Sequence, residues 1–287
     1  MASNMSVVRN SWPGVQGIKH MVVFGASYCD IGYRSSAPHP SSERPLGVDF
    51  PGKTWCGKID RERNTITYEP NWVGHLVELV RAQRNGSPLI VYDYALGGEA
   101  ASGVKRQIEK EFSPHVATKP EWASWTSEDT LFATWVGIND CAMNASAPDP
   151  VAATKASVGE LFARQEELYR HGARIFCFVD VPPTYDFPEI VKPTKLREAI
   201  STWNISLRES VERFSAVHAD ATVFLWSSFD FFNRLLAIPE AFGFRKEDTK
   251  KAEGDIFEDG LHPTSQVHLF MSREILQLLE SGASIPK

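Results

Sequence analysis

With 287 residues, 43% of them hydrophobic, the chain is long enough to bury a large core as one sizeable domain or two small ones. Its net charge of −6, without any basic run, argues against nucleic acid or an anionic membrane as partner. No stretch approaches the ~20 apolar residues that a bilayer span requires.

The N-terminal MASNMSVVRNSWPGVQG lacks the continuous apolar segment of a secretory signal, so a cytoplasmic protein is expected, or a secreted one if a leader has been removed. Cys29, Cys56, Cys141 and Cys177 contain no CxxC pair and have no histidine at zinc-finger spacing, and Cys177 in RIFCFVD reads as a buried reduced thiol.

The first apolar run, HMVVF (20–24), predicts a strand that leaves through Gly25-Ala26-Ser27. Residues 33–70 then lack periodicity and are rich in proline, glycine and charge. So long a structureless loop is uncommon in a compact domain and is usually functional; following the serine turn directly, it is expected to lie over that turn. LIVYDYA (89–95) and LFATWVG (131–137) predict the second and third strands. Val158, Leu161, Phe162, Gln165, Leu168 and Tyr169 then fall at helical spacing, with Gly172 placed to end the helix. IFCFVDV (175–181) is a fourth strand, Leu196 to Phe214 a second periodic helix, TVFLW (222–226) a fifth strand, and 265–279 a last helix. Near-continuous apolar strands alternating with helices predict a parallel sheet between two helical layers, an α/β fold, here as a single domain.

In such sheets ligands bind beyond the carboxyl ends of the strands, so the strand exits supply the candidates. They are Ser27, the pair Gly97-Gly98, Asn139 with Asp140, the DVPPTYD segment, and Asp259 with His262. These are complementary parts. A serine hydroxyl becomes nucleophilic when a base takes its proton, histidine can be that base, and a carboxylate can fix the histidine tautomer. Glycine and serine N–H groups with an asparagine amide could stabilise an oxyanion. Taken singly, each has a plainer reading. Ser27 suits a helix cap, Gly97-Gly98 a tight turn, Asn139-Asp140 an Asx turn or helix start, and Asp259 with His262 a solvated loop.

The set FGASYCDIG, YALGGEAA, WVGIND and DGLHPT resembles the four sequence blocks of the SGNH (GDSL) hydrolases. The flanking text is most similar to fungal GDSL esterases related to carbohydrate acetylesterases, over about residues 18–280. The resemblance implies a three-layer flavodoxin-like sandwich, with five parallel strands in the order 2-1-3-4-5. It implies Ser27 as nucleophile and oxyanion donor, Gly98 and Asn139 as further donors, His262 as base then acid, and Asp259 as its orienting carboxylate. Members are metal-free, so no cofactor is expected. One block departs from the family: Ala26 stands where Gly-Asp-Ser has its aspartate. Cys29, two positions from the serine, is a weaker alternative nucleophile.

A serine esterase acting on short acyl groups, carried by sugars or small metabolites, is therefore expected, working through an acyl-enzyme and as a monomer. Trp55 and Tyr185 are candidate substrate-binding aromatics. Interception of the acyl-serine by an alcohol would make an acyltransferase instead, and decay of the first block would leave an inactive binding protein.

Overall fold

The computed structural model of the chain describes residues 3–60, 63, 65–188 and 193–282. In chain order its elements are β1 (Met5–Val7), β2 (His20–Gly25), β3 (Gly57–Asp60), β4 (Thr65–Tyr68), α1 (Trp72–Gln83), β5 (Ile90–Asp93), α2 (Ala101–Arg106), α3 (Ser113–His115), β6 (Thr130–Trp135), α4 (Ile138–Asn144), α5 (Pro150–Arg170), β7 (Ile175–Val179), α6 (Pro193–Val217), β8 (Thr222–Trp226), α7 (Ser228–Ala237) and α8 (Ser265–Ser281). A π-helical stretch, Gln107–Phe112, joins α2 to α3.

The central sheet runs β1-β8-β7-β6-β2-β5. Its inner strands β6, β7 and β8 are buried at every residue, because helices cover both faces. All neighbouring pairs are parallel except β1 with β8, where Met5 faces Leu225 and Val7 faces Val223. The five expected strands thus lie in the order 2-1-3-4-5, but the sheet has a sixth, antiparallel edge strand. Three residues, MSV, are too few to display an alternation, and only the free edge of β8 makes them a strand.

The second correction falls in residues 33–70, which hold a β3–β4 hairpin rather than a structureless loop; residues 61, 62 and 64 of that stretch lie outside the described residues. Thr65, Ile66 and Thr67 are all exposed. A strand without a buried face leaves no period in the sequence to read.

Strand order reverses at β2. The connection through α1 moves to β5 on one side, and all later connections move the other way. Right-handed crossovers then place the two sets of helices on opposite faces. The helix contacts divide accordingly, with α1 packed on α8 and with α2, α4 and α6 packed around α5 or each other. The crevice at the carboxyl ends of β2, β5 and β6 is the switch point where such folds bind ligands.

Candidate active site

Ser27 stands two residues past the end of β2, at that switch point. Gln107, fully buried in the π-helical stretch, holds the strand end from behind. Its Nε2 donates to Gly25 O at 2.8 Å and its Oε1 accepts from Gly25 N–H at 3.0 Å. The chain then turns tightly, with Ala26 O accepting from Cys29 N–H at 2.9 Å and from Asp30 N–H at 3.0 Å. No helix begins at Ser27, so the helix-cap reading does not apply. Asn71 closes the turn from another element. Its Oδ1 caps α1 by accepting from the Val73 and Gly74 N–H groups, and its Nδ2 donates to Cys29 O at 2.8 Å and Asp30 O at 3.2 Å. One buried carboxamide therefore ties the serine turn to α1.

His262 lies 235 residues further on, in the loop that enters α8, and its Nε2 is 2.9 Å from Ser27 Oγ. Its Nδ1 is 2.7 Å from Asp259 Oδ2. The other oxygen of Asp259 accepts from the N–H groups of Leu261 and His262, both at 2.7 Å. Burial alone would raise the Asp259 carboxyl, but these bonds and the adjacent imidazole outweigh it and hold the group at about 2. It is thus ionised at neutral pH, facing Nδ1, which places the Nδ1 proton towards Asp259 and leaves Nε2 to face the hydroxyl.

The loop is anchored on every side. Tyr28 Oη donates to Leu261 O at 2.6 Å. Glu258 N–H donates to His262 O at 2.8 Å, and the Glu258 carboxylate accepts from Gly57 N–H at 3.2 Å. Ser265 Oγ donates to Pro70 O at 2.6 Å. Below it His268, fully enclosed, accepts from Trp72 N–H, and burial keeps its ring well below the usual histidine range, hence neutral.

Gly97 and Gly98 form the middle of a turn closed by Glu99 N–H to Leu96 O at 3.2 Å. Gly98 has φ 81°, the left-handed conformation that a type II turn requires at this position. Asn139, at the start of α4, donates from Nδ2 to Glu99 O at 2.9 Å, which joins the turn to the exit of β6. Beside it the buried Asp140 carboxylate accepts from Ala101 N–H, and burial pushes that carboxyl up to about 6.

Trp55 stacks on His262 with ring centroids 4.7 Å apart and planes 23° apart, yet remains 47% exposed. A Cβ on Gly97 would come within 2.4 Å of the indole, so the glycine is what allows the ring to lie there. A groove of about 940 Å³ opens beside it, lined by Lys53, Trp55, Lys58, Tyr68, Glu258 and Asp259 among others.

The other expected aromatic is not brought to this cluster. Tyr185 is buried at 8% exposure, with the Arg197 guanidinium 3.8 Å over its ring and Phe229 beside it, so little ring is left for a ligand. Cys29 is fully buried, and burial pushes its thiol far up, which removes it as an alternative nucleophile. The supports Gln107, Asn71 and Asp30 received no role from sequence reasoning. Asn71 carries a recognisable signal, an asparagine just ahead of an apolar helical run; Gln107 carries none. Among the described residues no group of three or more His, Cys, Asp or Glu side chains could hold a metal ion.

Comparison with known proteins identifies the family. Residues 21–275 match the family described as GDSL-like Lipase/Acylhydrolase. An acetylesterase from Thermothelomyces thermophilus is 25% identical over 277 residues, covering 90% of this chain and 87% of its own. Among solved structures, the acetylxylan esterase Axe2 from Geobacillus stearothermophilus superposes with a TM-score of 0.58 at 15% identity, covering 92% of this chain and 95% of its own. That similarity shows a shared fold. With a family match that spans most of its length, the chain belongs to the GDSL-like lipase/acylhydrolase family and is a carboxylic ester hydrolase.

Proposed function

We propose that the protein cleaves short-chain carboxylic esters, acetyl groups on sugars or small metabolites foremost, through an acyl-enzyme on Ser27. One observation carries this reading: the unbroken chain from Ser27 Oγ to His262 Nε2 and from Nδ1 to Asp259. Ser27 Oγ bonds to the ester carbon while its proton passes to His262 Nε2. The tetrahedral intermediate then expels the alcohol, which receives that proton as the C–O bond breaks. Water, deprotonated by the same nitrogen, adds to the acyl carbon and releases Ser27 and the carboxylic acid. Asp259 holds the tautomer and balances the imidazolium. The N–H groups of Ser27 and Gly98, with the second Nδ2 hydrogen of Asn139, serve the oxyanion; Glu99 O engages only one of the two hydrogens that an amide nitrogen offers.

The groove beside Trp55 supports a polar alcohol part. An exposed indole face together with lysine and carboxylate side chains of both signs suits a neutral, hydroxyl-rich or flat ring better than a fatty chain. The acetylesterase relative supports the short acyl group.

The test is a panel of p-nitrophenyl esters from acetate to palmitate, run beside acetylated sugars, with labelling by a fluorophosphonate probe. Acetate is expected to turn over fastest, and labelling is expected to vanish in Ser27→Ala. A folded wild-type protein that takes no label would overturn the reading.

A further inference from the structure

We infer that Asp30, near the end of the first sequence block FGASYCDIG, is a positioning residue for the oxyanion turn, a task for which Ala26 beside the serine offers no carboxylate. The inference rests on the proposed role of Gly98 as an oxyanion donor. Asp30 lies in the serine turn, three residues after Ser27, and is 7% exposed. Its two oxygens are divided between two loops. Oδ1 accepts from Gly32 N–H at 2.8 Å, which shapes its own turn, and Oδ2 accepts from Gly97 N–H at 2.9 Å, across 67 residues of sequence. The carboxylate thus bridges the segment that carries the nucleophile to the segment that carries Gly98.

Turn geometry explains why that bridge matters. In the Leu96–Glu99 turn the central peptide lies between Gly97 and Gly98. Types I and II differ chiefly by a flip of this peptide, and with glycine at both central positions neither form meets a Cβ penalty. A flip would turn the Gly98 N–H away and bring the Gly97 carbonyl towards the place where negative charge develops. Tethers on both flanks resist it. Leu96 N–H donates to Gly25 O at 3.2 Å and Asn139 holds Glu99 O, and among the described residues Asp30 alone hydrogen-bonds to one of the two central glycines, at the Gly97 N–H directly ahead of the central peptide. A bond from an N–H to an ionised acceptor is also about twice as strong as a neutral one. Arg34 Nη1, 4.0 Å from Asp30 Oδ1, balances the charge while donating to Ala95 O at 3.3 Å, so even the counter-ion is fastened to the same loop.

The test compares wild type with Asp30→Ala, which removes both bonds, and Asp30→Asn, whose amide can serve only one of the two N–H groups. Because one oxyanion donor is worth roughly a hundredfold or more in turnover, kcat on p-nitrophenyl acetate is expected to fall about ten- to a hundredfold in Asp30→Ala, with KM held within about threefold. The inhibition constant of a boronic acid, whose adduct with Ser27 mimics the tetrahedral state, should rise by the factor by which kcat/KM falls. A purely structural role would lower the melting temperature without that match. Folded variants with unchanged kcat and boronate affinity would overturn the inference, while fluorophosphonate labelling of the wild type would leave the esterase reading intact. If the variants do not fold, amide hydrogen exchange in the wild type decides: a protected Gly97 N–H supports the bridge, and an unprotected one overturns it.

Discussion

Gln107 offers the sharpest test of how the nucleophile is held. Gln107→Leu keeps approximate volume in a fully buried position but deletes both bonds to Gly25. The Gly25 carbonyl retains Leu96 N–H at 3.2 Å, whereas the Gly25 N–H loses the partner shown for it. An orphaned buried donor costs about 1–3 kcal/mol and the lost bond to the carbonyl about 1, so the substitution should destabilise by about 2–4 kcal/mol. That is a large part of the roughly 5–15 kcal/mol that holds a domain together. Urea unfolding followed by tryptophan fluorescence measures it, and turnover on p-nitrophenyl acetate should fall in parallel, since Ser27 is two residues away. A stability loss under about 1 kcal/mol with normal turnover would refute the view that this side chain fixes the strand end.

Asn139→Ala should lower kcat about a hundredfold or more while KM changes little, because the donor acts on charge that exists only in the transition state; an unchanged kcat would remove Asn139 from the site. Asp259 carries a pH signature. Its carboxyl is depressed from 3.8 to about 2, so the stability it contributes is present above about pH 4 and is lost as pH falls towards 2. The side chain is 53% exposed, and after allowance for solvent screening the contribution is about 1 kcal/mol. Wild type should exceed Asp259→Asn by that amount at pH 5 and converge with it near pH 2 in acid-titrated urea unfolding, and an equal gap at both pH values would contradict the assignment. All four cysteines are free and buried, and burial raises each thiol, Cys177 to about 12. Iodoacetamide at pH 8 should therefore label none in the native protein and all four in urea, read by intact mass; rapid native labelling would contradict the packing.

The apolar runs at 20–24, 131–137, 175–181 and 222–226 were legible as strands because a parallel strand covered on both faces must be hydrophobic throughout. The helices at 158–169 and 196–214 were legible because one buried face imposes a 3.6-residue period. The strand exits followed from those boundaries, and they brought Ser27, Gly97-Gly98, Asn139, Asp259 and His262 into view as separate parts. Elements whose form depends on a distant partner left no such trace. The edge strand Met5–Val7 exists because β8 offers a free edge, and the β3–β4 hairpin pairs with itself while keeping Thr65, Ile66 and Thr67 in solvent.

Local sequence fixes which hydroxyl, imidazole, carboxylate and amide can be used, because side-chain chemistry and strand endings are local properties. What it leaves open is distance. The 2.9 Å between Ser27 and His262, the grip of Gln107 on Gly25, the indole of Trp55 laid on the imidazole and the exclusion of Tyr185 arise only when segments far apart in the chain pack together. Tertiary structure decides these because a hydrogen bond or a ring contact depends on angstroms, and no spacing along the chain encodes angstroms between residues 235 positions apart.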